Sequence, residues 1–160
     1  FGAPAEGAVR IQTTTGNTQV TAARAASLSL SATTGNVSAA GLECAGSVEA
    51  DVTTGRMELR DVSCGSVRTA GTTGNLLLKR VIAAESVSVE RTTGNVEFNK
   101  ADAPEIEVKT TTGDVNGTLL SGKMFYTETK TGFMSMPMES SGGTFRVTTT
   151  TGSARITVIG

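Results

Sequence analysis

The chain has 160 residues, and the side chain most often recruited for chemistry, His, is absent from all of them. Ser-His-Asp and Cys-His nucleophilic catalysis and imidazole metal sites are therefore excluded. Of the five Met, four (Met124, Met134, Met136 and Met138) crowd into one stretch, and thioethers at that density suit Cu(I). Their placement argues otherwise. Met134 and Met136 fall at positions that carry Val, Leu or Met elsewhere in the chain, and Met fills irregular core gaps well. Within the run 134–138 only Met138 falls outside such a position, so core packing is the expectation. Cys44 and Cys64 stand 20 residues apart. If they occupy stacked layers about 4.8 Å apart, a disulfide is within reach. A pair of small buried thiols is the expected alternative. Two Cys cannot build a Cys₄ zinc site.

Acid–base chemistry needs clustered carboxylates, as does Ca²⁺ binding. The four Asp are Asp51, Asp61, Asp102 and Asp114, scattered along the chain, and Tyr126 is the one Tyr beside no Trp. The expectation is no enzyme: no catalytic residue, no cofactor and no metal. With 14 Lys+Arg against 15 Asp+Glu, the net charge of −1 lacks the basic footprint of a nucleic-acid binder. No apolar run approaches the ~18 residues of a membrane span.

The elements that position these residues announce themselves as repeats. Thr-Thr-Gly or a close variant ends at Gly16, Gly35, Gly55, Gly74, Gly94, Gly113, Gly132 and Gly152, at spacings of 19 or 20. Thr precedes every one of these Gly, and Asn or Asp follows five of them. Seven residues before each Gly lies an apolar column: Val9, Leu28, Val48, Val67, Val87, Ile106, Phe125 and Phe145. Further apolar columns lie five before, two after and four after, with mostly polar residues between them. That is the period-two alternation of half-buried strands. A small-residue column nine after the Gly (Ala25, Cys44, Cys64, Ala83, Ala103, Gly122, Ser141) suggests a second tight corner. The slip between 19 and 20 must fall between that corner and the next strand.

A hairpin array and a parallel solenoid both fit such units. Stacking like on like at about 4.8 Å rewards identical Thr, Gly and Asn at one corner, which favours the solenoid. The fold expectation is all-β: a right-handed parallel β-helix of about 7.5 coils, each of 19–20 residues, forming one domain over residues 1–160. Such a rod is roughly 36 Å long, and no coil is stable alone. The last coil ends in mid-strand at Ile156, Val158 and Ile159, an uncovered and therefore sticky edge. Together with an opening Phe1-Gly-Ala-Pro that lacks Met, this suggests a piece cut from a longer chain, or an end covered by another chain.

Thr-x-Thr rows such as Thr110/Thr112 and Thr149/Thr151 mark the flat faces of some ice-binding proteins. Here strand parity turns these positions inward or into the corner, so a structural ladder is expected instead. Glu90, Lys109 and Glu128 read as an alternating-charge column over three successive coils. Asn36-Val-Ser38 and Asn116-Gly-Thr118 match the glycosylation sequon by coincidence within a structural Asn column.

The repeated Thr-Thr-Gly-Asn-Val units, each preceded by Ser-Val-x-Val or a variant of it, resemble bacterial adhesin-type repeat domains of unknown function. The resemblance spans Val9 to Val158, with a departure at Lys130-Thr131-Gly132-Phe133. It implies a cell-envelope, surface-exposed location, often behind a membrane anchor, and carries no catalytic residues. The resulting expectation is a non-catalytic envelope module for adhesion, partner binding or spacing, its partner an envelope or extracellular protein or polysaccharide. The alternative is a cytoplasmic β-helical scaffold subunit that polymerises through its open coil ends.

Overall fold

A computed structural model of the chain describes residues 8–21, 24–120, 123–135 and 143–158. Its strands are β1 (Ala8–Thr15), β2 (Thr18–Thr21), β3 (Arg24–Ala25), β4 (Ser27–Thr34), β5 (Val37–Cys44), β6 (Ser47–Thr54), β7 (Met57–Thr73) and β8 (Leu76–Thr93). They continue with β9 (Val96–Ala101), β10 (Glu105–Thr112), β11 (Val115–Leu119), β12 (Lys123–Thr131), β13 (Met134–Ser135), β14 (Gly143–Thr151) and β15 (Ala154–Val158). The described strands pair in parallel, each with its copy in a neighbouring repeat, as β1 with β4 and β7 with β8. The chain is a β-solenoid, and the hairpin alternative falls.

The Thr-Thr-Gly corner turns because its Gly holds a positive φ, from 118° at Gly16 to 147° at Gly113 and Gly132. Close stacking also excludes any side chain there. A Cβ on Gly74 would lie 1.7 Å from the Gly55 carbonyl oxygen. Each corner is tied to the next by a backbone bond, such as Gly35 N–H to the Thr54 carbonyl at 3.0 Å. The Asn after the Gly adds a rung: Asn95 Oδ1 accepts from the Asp114 amide at 3.0 Å.

Numbering the coils by their corners, coils 1 to 6 stack in chain order, but the last two exchange places. Strand β14 of coil 8 pairs with β10 of coil 6 on one side and with β12 of coil 7 on the other. Likewise β15 lies between β11 and β13. The Ser153 amide donates to Asp114 Oδ1 at 2.9 Å, directly across from coil 6 to coil 8. This corrects two expectations. Ile156 is 3 % exposed and β15 is paired on this side at Ala154 and Arg155, so among the described residues the unpaired edge at this end belongs to coil 7. Lys109 and Glu128 are not neighbours, because Thr148 stands between them.

The inward side chains explain the exchange. Coil 8 offers Phe145, Val147, Ala154 and Ile156, all buried. At the position of Val147 in coil 8, coil 7 offers Thr127, where most other coils place an apolar residue. Putting the Thr-lined coil outermost lets the apolar one be covered on both faces, at ~1.5–3 kcal/mol for each large side chain fully buried. Phe145 then meets Phe98 edge-on at 6.0 Å and Phe125 at 5.5 Å.

Coils 2 to 5 each have one more corner, beyond the two expected from the sequence. Gly41, Asp61, Arg80 and Lys100, six residues after their corner Gly, sit in the left-handed region with φ of 52–64°. That turn flips the parity and aims a further column inward: Leu42, Val62, Val81 and Ala101, all buried. The 19-versus-20 slip does fall after the small-residue column, between Cys64 and Ser66 in β7.

Candidate functional site

The fold turns the Thr-Thr pairs outward at the corner. Among the described residues, the two columns before the Gly hold fifteen exposed Thr, with Lys130 the one departure. They form a double row along one edge of the solenoid, from Thr14 and Thr15 in coil 1 to Lys130 and Thr131 in coil 7. Backbone groups of the corner are spent on coil-to-coil bonds, as with Gly74 N–H to Thr93 O at 3.1 Å. Asn75 is also committed, its Oδ1 accepting from the Asn95 amide at 3.2 Å. The Thr hydroxyls are what the ridge presents to solvent.

One column deeper, parity reverses. Thr13, Ala32, Val52, Gly71, Arg91, Thr110, Thr149 and Thr129 follow one another along the interior. Thr110 and Thr149 are buried, and their Oγ1 atoms have no hydrogen-bond partner, so the interior Thr do not bond one another as a ladder. Arg91 is 2 % exposed, and Nε, Nη1 and Nη2 likewise lack a partner. Burial holds its guanidinium below the ordinary value, against the opposing pull of Asp51. In the sequence Arg91 stands three before its corner Gly, in the column of Val52, Gly71 and Thr110. Its position on an inward column was the available signal for a buried charge.

The cysteines are separate thiols, Cys64 buried and Cys44 half-buried, with no disulfide between them. Burial, then Cys44, pushes the Cys64 thiol up to about 12. Met134 packs against the core, Met124 is 41 % exposed, and Met136 and Met138 lie outside the described residues. The outer faces carry exposed ion pairs, Arg24–Glu43 at 2.8 Å and Arg80–Asp61 at 2.7 Å, each worth about 0–1 kcal/mol. Among the described residues no three of Cys, Asp and Glu gather as metal ligands, and no helix is long and apolar enough to cross a membrane. Shallow depressions of about 230 and 300 Å³ lie beside Ser47, Glu49 and Arg68 and beside Arg24 and Glu43. They are at or below the low end for small-molecule sites.

A corner of Thr-Thr-Gly stacked on itself is thus the organising unit from end to end. The Toastrack DUF4097 family matches residues 5–157. The chain belongs to that family. The match takes in every described strand but the last residue of β15, so the exchanged coils lie inside the Toastrack DUF4097 domain. No curated protein and no solved structure matches the chain significantly.

Proposed function

We propose that this Toastrack chain is a non-catalytic module of the cell envelope, exposed outside the cytoplasm, that binds a partner along its Thr ridge. The partner is an envelope or extracellular polymer, protein or polysaccharide. What supports this reading is the ridge itself: paired hydroxyls recurring at every coil but coil 7, about 4.8 Å apart, with the corner backbone already satisfied. A surface of fixed period offers a repetitive polymer the same weak contact several times over, and such contacts combine by effective concentration. The near-zero net charge leaves recognition to hydroxyls rather than to electrostatic steering. The same rod also spaces whatever is joined to it.

Cosedimentation with purified peptidoglycan sacculi tests the polysaccharide form of this reading. The intact chain is expected in the pellet. The triple variant Thr53→Ala, Thr72→Ala, Thr92→Ala keeps its far-UV spectrum but binds at least tenfold less. Equal sedimentation of both proteins rejects the ridge as the contact. A signal or anchor segment upstream in the gene would support the location, and its absence would count against it.

A second reading, a scaffold that assembles end to end, draws on coil 7. That coil exposes Met124, Tyr126 and Phe133 at 41, 48 and 61 %. An unpaired strand edge with apolar side chains is a pairing surface. Light scattering separates the two readings. A mass that rises with concentration and collapses to one copy in Tyr126→Ser, Phe133→Ser favours the scaffold; a constant monomer rejects it.

A further inference from the structure

The interior column around Arg91 combines four features. First, Arg91 is 2 % exposed and none of its three guanidinium nitrogens has a hydrogen-bond partner. Arg does not shed its proton in proteins, and an unpaired buried charge costs several kcal/mol. Second, among the described residues no carboxylate is buried on the inward columns. Asp51, the acid whose charge reaches Arg91, points outward and is exposed. Third, Gly71 on the adjacent coil makes room for the group. A Cβ there would fall 2.0 Å from Nη1 of Arg91 and 2.6 Å from its Cζ. Beside it, two residues earlier on the same inward face, Thr69 is 1 % exposed with an unpartnered hydroxyl.

The fourth feature follows from the exchanged coils. Thr110 is paired with Arg91, Thr149 with Thr110, and Thr129 with Thr149. All three hydroxyls lack a protein partner. A file of hydroxyls therefore runs from Arg91 through two coils to coil 7, the outermost, over about 14 Å at the usual strand spacing. Thr129 at its outer end is only half-buried.

We propose that Arg91 is the floor of an internal anion site that takes a small monovalent inorganic anion of halide size. The guanidinium donates to the anion, the Thr69 and Thr110 hydroxyls supply further donors, and the Thr file leads water and ion in from the coil 7 end. An anion answers the charge, whereas water would satisfy only the N–H groups. The small size follows from the place: Gly71 and Thr110 flank Arg91 on adjacent strands, each about 4.8 Å away, a spacing that suits a single-atom ion. This inference is independent of the ridge reading.

Thermal unfolding in sodium chloride and in sodium gluconate, at constant ionic strength, tests it. The expected result is a Tm that rises with log chloride and does not rise with gluconate, an ion too large to enter. Each tenfold of chloride above the dissociation constant should raise the folding equilibrium about tenfold. Arg91→Met, which keeps the bulk and removes the charge, should fold and lose the dependence. If that variant does not fold, Thr69→Val, Thr110→Val is expected to weaken the dependence in a folded protein. Bromide-soaked crystals of the unaltered chain should show an anomalous peak within hydrogen-bonding reach of the Arg91 guanidinium. Identical Tm values in the two salts, a dependence that survives in folded Arg91→Met, or density at Arg91 without anomalous signal would each overturn the proposal.

Discussion

At the scale of single residues, the corner glycines and the buried cysteine give the sharpest consequences. Gly74 is held at φ 132° with the Gly55 carbonyl oxygen where a Cβ would stand, whereas Gly16 has φ 118° and nothing within 4 Å. Gly16→Ala should therefore cost only the backbone strain, about 1–3 kcal/mol, and Gly74→Ala clearly more, because its coil must part from the next. Urea midpoints of the two variants measure the difference. Cys64 carries a pH signature. Its proton is held to about 12 when folded, above the ordinary thiol value of about 9. Below pH 9 both states are protonated and stability is unaffected. Between about 9 and 12 the unfolded chain binds fewer protons, so stability falls as pH rises. Cys64→Ala should remove that part of the alkaline slope in a Tm-versus-pH series. Much at this scale was legible in the sequence: the corner Gly, the inward columns and the thiols all appear as spacings. The left-handed corner was not, because Asp61, Arg80 and Lys100 occupy it without the Gly that normally betrays positive φ. The apolar column that resumes at Leu42, Val62 and Val81, out of phase with the one before, was the trace it left.

Among the elements, the exchange of coils 7 and 8 is a choice between two arrangements whose corners are nearly alike. Every coil offers the same Thr and Gly to its neighbours, so the corner motif specifies stacking but says little about order. The order is written in the interior, where Val147 of coil 8 stands against Thr127 of coil 7 while Phe145 and Thr149 match Phe125 and Thr129. Reading it requires comparing the two coils as competing end caps, which a walk along the repeat does not do. The arrangement ranks two aromatic truncations. Phe145 lies between Phe98 and Phe125 and is fully buried, so Phe145→Ala should cost about 3–5 kcal/mol. Phe125 lies on the outermost coil and is half-buried, so Phe125→Ala should cost distinctly less. Stacking in chain order would place Phe125 inside and reverse the ranking.

For the whole molecule, coil order decides what the rod presents. It carries the Thr ridge from coil 6 through coil 8 to coil 7, leaves Tyr126 and Phe133 on the open end, and joins Arg91 to that end by hydroxyls. The ridge, the end face and the interior site depend on one arrangement of eight stacked corners. Lys109, Thr148 and Glu128 report it, because they share one outward column. With Cys44 and Cys64 replaced by Ala, two double variants should be oxidised: Lys109→Cys with Thr148→Cys, and Lys109→Cys with Glu128→Cys. Adjacent strands put the first pair about 4.8 Å apart and the second about 9.6 Å, on either side of what a disulfide spans. Intact mass under non-reducing conditions is predicted to show a bridge in the first variant and two thiols in the second; a bridge between positions 109 and 128, with none between 109 and 148, would contradict the account.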